Sequence, residues 1–253
     1  MYNVDMLSKP EMIIFDYGGT ILYEPDFDFL RGEREVFKHV IKNPHNVTPE
    51  QVCNFNERIY SESNAARKVE FELHHNQMLK MKYEYFGIEL DVSLEEAEWI
   101  LWQGVSPATE KCRMAHITEL LAYLKEKNIR TGVISNMGWS GNNLKRRINT
   151  ILPENNFEFI IATSEYGYRK PNPLIFELAL NKAGLSADKV WYCGDTFSND
   201  CEGAHRAGIY PVYYTGQPDG KRKDGPVRTI LDYQPDFQFT QICDWNELKE
   251  RLK

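Results

Sequence analysis

The chain has 253 residues and a formal charge of −7 at neutral pH. That length allows one large domain or a core carrying an inserted module. The acidic balance argues against nucleic acid or an anionic membrane surface as the main partner, because both demand a basic face. Met1–Pro10 shows neither the basic nor the apolar region of a leader peptide. No apolar run approaches the roughly 18–20 residues of a membrane span. Cys53, Cys112, Cys193, Cys201 and Cys243 are odd in number and scattered. They suit reduced thiols in a cytoplasm better than a disulfide framework or a zinc site.

The first element is the apolar run Met12–Phe15, a buried strand, which ends in Asp16-Tyr-Gly-Gly-Thr20. From about Tyr23 to Pro107 the pattern turns helical. Thr48-Pro-Glu-Gln51 is a capping box with Pro at the first helical position, and Ser93-Leu-Glu-Glu96 is another. The pattern predicts one long helix from near Asn64 to Phe86. This stretch reads as a helical insert after the first strand. The alternative, helices of the main layer, would need an unusually long gap between neighbouring strands.

Beyond the insert, strands and helices alternate. Ile117, Leu120, Leu121 and Leu124 follow helical spacing, and Ile129–Ile134 is a strand ending at Ser135-Asn136. Phe157–Ala162 is a third strand, followed by Glu165-Tyr-Gly-Tyr-Arg-Lys170-Pro-Asn-Pro173 and the helical stripe Ile175, Leu178, Ala179. Val190–Cys193 and Ile209–Tyr214 are further strands, with Gly194-Asp195-Thr-Phe-Ser-Asn-Asp200 between them. Such alternation means crossover connections and a mainly parallel sheet. Gly216–Asp236 reads as a surface loop, and Asp244-Trp-Asn-Glu247 as the capped start of a final helix.

Four polar signals therefore stand at or just after strand ends, the edge where open α/β sheets bind ligands. Each has an ordinary alternative. Asp16 before two glycines can approach a ligand closely, yet such turns are more often structural. Ser135 can donate to a phosphate oxygen or cap a helix. Lys170 lies ahead of a helix whose positive end disfavours a cation, so a cation held there needs an anion nearby. Asp195 and Asp200 can ligate a hard cation, or Asp200 can be a helix cap.

Taken together, in this order and spacing, the four resemble the motifs of the haloacid dehalogenase (HAD) superfamily: Asp16-x-x-Gly19-Thr20, Ser135, Lys170-Pro, and Gly194-Asp195-x4-Asp200. The resemblance implies a doubly wound, Rossmann-like α/β core over residues 1–22 and 107–253 with a helical cap over 23–106. It implies an enzyme acting on a small phosphorylated substrate, with Asp16 as the nucleophile that forms an aspartyl intermediate. Mg²⁺ is the implied cofactor, held by Asp16, the Gly18 carbonyl and Asp195. Lys170 would neutralise charge, Ser135 and the Asn136 N–H would hold phosphate oxygens, Asp200 would orient ligands or Lys170, and Thr20 would stabilise the turn.

One position departs from the pattern. Family phosphatases carry a general acid–base Asp two places after the nucleophile, and here that place is Gly18. Family dehalogenases typically have Tyr there and use no metal; family phosphonate hydrolases have a small residue and need a cap lysine. Lys38, Lys42, Lys68, Lys80 and Lys82 all lie in the insert. A phosphatase-like hydrolase leads. A phosphonate hydrolase and a phosphate-binding regulator with weakened turnover stand as alternatives. Arg67, Lys68, His74 and His75 are candidates for substrate selection, against the plainer reading of a solvated helix face.

Overall fold

The computed structural model describes residues 9–218 and 235–253. Most of the loop expected over 216–236 and most of Met1–Pro10 lie outside them. Among the described residues, six parallel strands form one sheet in the order β5-β4-β1-β6-β7-β8. They are β1 (Met12–Phe15), β4 (Arg130–Ser135), β5 (Ile160–Ala162), β6 (Val190–Gly194), β7 (Tyr210–Tyr214) and β8 (Thr240–Ile242). Strand β1 is central and buried on both faces. Ile13 and Phe15 join the core built by α5 (Ile117–Glu126), α6 (Gly141–Ile151) and α9 (Trp245–Arg251). Met12 and Ile14 face α7 (Pro173–Ala183) and α8 (Glu202–Arg206) on the other side. This is the doubly wound arrangement that period-2 alternation on a two-sided strand dictates.

Local signals act as their chemistry requires. The α7 helix starts with Pro173 behind Asn172, whose side chain accepts from Leu174 N, and stops at Gly184 in the left-handed conformation. The α9 helix starts at Asp244, whose carboxylate accepts from Asn246 N at 2.7 Å. Strand β8 was not anticipated, since three residues of mixed polarity carry no periodic signal. Strand β5 begins three residues later than expected, at Ile160; Phe157, ahead of it, sets its ring edge-on to Phe15, 6.4 Å between centroids.

Between β1 and α5 stand α1 (Phe29–Val36), α2 (Pro49–Lys68), α3 (His75–Tyr85) and α4 (Leu94–Val105). With a small antiparallel pair, β2 (Val40–Lys42) and β3 (Glu89–Leu90), they enclose an apolar cluster of Val36, Val52, Leu79, Tyr83, Ala97 and Leu101. Both expected sites start helices, but only the first forms a capping box: Ser93 Oγ accepts from Glu96 N, while the Glu96 carboxylate pairs with Arg146 instead of bonding back. At the first, Gln51 N donates to Thr48 Oγ1 while Thr48 N donates to Gln51 Oε1 at 2.8 Å.

The long helix expected from Asn64 to Phe86 does not form; α2 ends at Lys68 and α3 begins at His75. Glu70 sits at φ 63°, which an α-helix cannot pass, and the main chain turns toward the core. There Glu72 N donates to Gly167 O and Arg169 N to Glu70 O, at 2.8 and 3.0 Å. Main-chain bonds to another segment replace the helical ones that residues 69–74 forgo.

Helices α1 and α4 meet at Gly32 and Gly104, where a Cβ on Gly104 would stand 2.6 Å from Gly32 Cα. Gly104→Ala gains about 0.5–1 kcal/mol of helix propensity but overpacks the crossing by about 1–3 kcal/mol. The variant should melt below the parent; an equal or higher Tm would show that the helices separate freely.

Candidate active site

Asp16 is the first residue beyond β1, and its N–H donates to Cys193 O on β6 at 2.8 Å. The chain then folds back within six residues, with Ile21 N and Leu22 N donating to Tyr17 O and Gly19 N to Leu22 O. Gly19 has φ 77°, and a Cβ there would stand 2.5 Å from Asp195 Oδ2. Glycine is thus required twice, for conformation and for the approach to Asp195. Gly18 is different. Its φ is not positive, and a Cβ there meets nothing within 4 Å. Thr20 is fully buried and its hydroxyl finds no partner, so the turn is closed by main-chain bonds.

Lys170 is buried, and its Nζ donates to Asp16 Oδ1 at 2.8 Å, Asp200 Oδ1 at 2.6 Å and Tyr192 Oη at 2.7 Å. Burial alone would lower the lysine's pKa, but Asp16 and Asp200 outweigh it and hold the ammonium above its ordinary range. The opposite balance holds at Asp16. Burial pushes its carboxyl up to about 6, Lys170 pulls it down and Asp200 pushes it up again.

Two further loops complete the arrangement. Asn136, after β4, clamps Lys170 by its side chain: Nδ2 donates to Lys170 O and Oδ1 accepts from Lys170 N, both at 2.8 Å. Asp200 lies on a short π-helical turn (Phe197–Cys201) after β6, and its Oδ2 accepts from Thr196 N at 2.8 Å. A Cβ at Gly194 would collide with the Asp200 carboxylate, so the strand must end in glycine for Asp200 to reach Lys170. One carboxylate oxygen from each of Asp16, Asp195 and Asp200 lies within 4.8 Å of the others. These are hard oxygen donors, suited to Mg²⁺ or Ca²⁺. Both Asp200 oxygens accept hydrogen bonds, from Lys170 Nζ and Thr196 N.

The cleft above this cluster has a volume of about 500 Å³. Of the catalytic, phosphate and metal candidates from the sequence, Asp16, Gly18, Ser135, Asn136, Lys170, Asp195 and Asp200 line it, and Thr20 does not. From the helical segment, Tyr60, Arg67 and Glu72 reach its wall; Lys68, His74 and His75 do not. His74 caps α3, its Nδ1 accepting from Asn76 N, and His75 is buried against Trp139.

Sequence reading missed several side chains here. Tyr192 gave no signal, being an aromatic residue in a buried strand. Glu24 lines the cleft with Oε1 accepting from Trp102 Nε1 at 2.7 Å. Arg147, fully buried, donates from Nε to Tyr17 Oη at 2.8 Å. Arg169 stood inside the quoted Lys170 motif, but nothing in its spacing set it apart from a solvated arginine.

Known proteins resemble this chain in sequence and in fold. A family model described as haloacid dehalogenase-like hydrolase matches residues 13–213. A glyceraldehyde 3-phosphate phosphatase of Methanothermobacter thermautotrophicus is 31% identical over 137 residues, 53% of this chain and 56% of that protein. That match spans little more than half of the relative's length. Among solved structures, a HAD phosphatase from Thermococcus onnurineus superposes with a TM-score of 0.60 at 20% identity, covering 97% of this chain and 98% of that one. A 2-haloacid dehalogenase from Pseudomonas syringae pv. tomato gives 0.57 at 21% identity, covering 95% and 97%. Identities this low speak for the fold alone. The family match runs from within β1 to within β7 and takes in Ser135, Lys170, Asp195 and Asp200: the chain belongs to the haloacid dehalogenase-like hydrolases.

Proposed function

We propose that the chain hydrolyses small organic phosphates with Mg²⁺, using Asp16 as nucleophile. The observation that carries this reading is the buried Lys170 ammonium, which ties one oxygen of Asp16 while the residue still lines the cleft. An anionic nucleophile beside an anionic phosphate needs positive charge. Lys170 supplies it at Asp16, and a bound Mg²⁺ would supply the rest by neutralising charge between the two anions. Asp16, the Gly18 carbonyl and Asp195 would hold the ion, and the all-oxygen donor set fits it. Asp16 then attacks phosphorus, the ester oxygen leaves, and water cleaves the aspartyl phosphate. Ser135 and the Asn136 N–H would hold the phosphate oxygens. Asp200 would keep Lys170 aimed, and Thr20 would fill the space under the turn. Residues 1–22 and 107–253 would act as the catalytic core and 23–106 as a cap that contributes to substrate choice. The likeness to a glyceraldehyde 3-phosphate phosphatase supports a small substrate.

In this reading Gly18 leaves no general acid–base at the family's usual place. Tyr17 does not replace it: its hydroxyl is held by Arg147, and burial pushes its pKa far above the ordinary range. Phosphonate hydrolysis, which needs a cap lysine, loses support because none of Lys38, Lys42, Lys68, Lys80 and Lys82 lines the cleft. Lys82, fully buried, is bound to Glu33 at 2.5 Å. A purely binding role leaves Asp16 unexplained, since binding needs no nucleophile.

Asp16→Asn should lower turnover by roughly 10³-fold or more while far-UV circular dichroism stays near the parent's. Turnover close to the parent's in contaminant-free variant would remove Asp16 from the mechanism. Excess chelator should stop hydrolysis and Mg²⁺ restore it, with Ca²⁺ a poor substitute. The metal competes with a proton for an Asp16 carboxyl that titrates near about 6. The half-saturating Mg²⁺ concentration should therefore climb as pH falls through that value; activity in excess chelator would exclude the metal.

Gly18 yields the sharpest test. Aryl and acyl phosphates should be cleaved much faster than alkyl esters, because nothing protonates a poor leaving group. Gly18→Asp, whose Cβ enters open space at an ordinary φ, should raise alkyl-ester turnover by up to ~10²-fold, the low end of general acid–base effects. Parent rates that ignore leaving-group pKa, with no gain in the variant, would direct attention to Glu24 as the proton carrier.

A further inference from the structure

The cleft has a second charged group away from Lys170. Arg67, in the last turn of α2, donates from Nε to Glu72 Oε1 at 3.2 Å and lies with its guanidinium carbon 4.4 Å above the Tyr60 ring. Arg169 approaches the other oxygen of the same carboxylate, Nη1 to Glu72 Oε2 at 3.3 Å. Its direction is wrong for a hydrogen bond, and Arg169 Nη1 is a buried donor with no partner. Glu72 is almost completely buried, the two arginine side chains are about one-fifth exposed, and all three line the cleft.

Two guanidiniums thus share one carboxylate, leaving a positive charge in excess. Each offers five N–H donors. Fastening the turn at 69–74 does not account for the pair, because Glu72 N to Gly167 O and Arg169 N to Glu70 O already fasten it through the main chain. Burial and the neighbouring Arg67 hold Arg169 below its usual range, against the pull of Glu72. A further anion would relieve that balance. Planar, forked donors of this kind match carboxylate and phosphate oxygens.

We infer that Arg67 and Arg169 form an anion-binding subsite, so that the substrate is a phosphate ester carrying a second anionic group, carboxylate or phosphate, besides the one removed. The inference rests on the phosphatase reading and narrows its substrate class. Arg67 belongs to the helical segment, and Arg169 directly precedes Lys170, so such a substrate touches both sides of the cleft at once.

The test compares matched esters in the full-length, Mg²⁺-loaded protein: phosphoglycerate against glycerol phosphate for a carboxylate, and a sugar bisphosphate against its monophosphate for a phosphate. The parent should favour the doubly anionic member of at least one pair by tenfold or more in kcat/KM, and which pair responds names the group. In Arg67→Gln and Arg169→Gln that preference should shrink by about 10- to 100-fold, the worth of a charge-assisted hydrogen bond, mainly through KM. Arg58→Gln, which removes an exposed arginine of α2 paired with Glu62, should keep it. Calorimetric binding of the same esters to Asp16→Asn protein reads the subsite where nothing is hydrolysed. Absence of turnover with these esters and with aryl and acyl phosphates, the binding preference intact, would defeat the phosphatase reading alone. No preference in either assay, or a preference surviving in both arginine variants, would overturn the subsite.

Discussion

Withdrawing an ammonium from water costs several kcal/mol even after the protein relaxes around it, and Lys170 is withdrawn almost completely. It is tolerable there only because two carboxylates and a phenol surround it at 2.6–2.8 Å. Those partners come from the end of β1, the strand β6 and the turn after it. The lysine itself comes from the loop after β5, and Asn136 after β4 grips its main chain. Four neighbouring strands are thereby brought to one point. The glycines follow from the same demand: Gly194 lets Asp200 approach, and Gly19 lets the first turn close against Asp195.

The electrostatics of the cluster are asymmetric in a useful way. Lys170 is shared between Asp16 and Asp200. Burial opposes the charge on Asp16, and the residue lines the cleft. A cation arriving there would make that carboxylate easier to ionise.

The parallel core was legible because its strands are short apolar runs with opposite faces of β1 equally greasy, a pattern that only a two-sided sheet satisfies. The positions of Asp16, Ser135, Lys170 and Asp195 were legible for a related reason: each follows an apolar strand or precedes a prolined helix, where a polar or charged residue needs a purpose. The break between α2 and α3 was not. Residues 69–74 leave the helix because the main chain of 167–169 offers better partners, and a contact about 100 residues away has no local signature. Tyr192 and Arg169 were silent for the same reason, since their partners are chosen by the fold. Glu24 was hidden by its setting in an irregular turn, where a carboxylate ordinarily faces water.

The paired main-chain bonds at 70–72 and 167–169, with Phe71 and Tyr168 ring to ring at 5.0 Å, fasten one rim of the cleft. Two such bonds contribute only about 1–3 kcal/mol together, so that rim is joined weakly through its main chain. Losing either one would loosen a wall of the cleft without touching the side chains around Lys170.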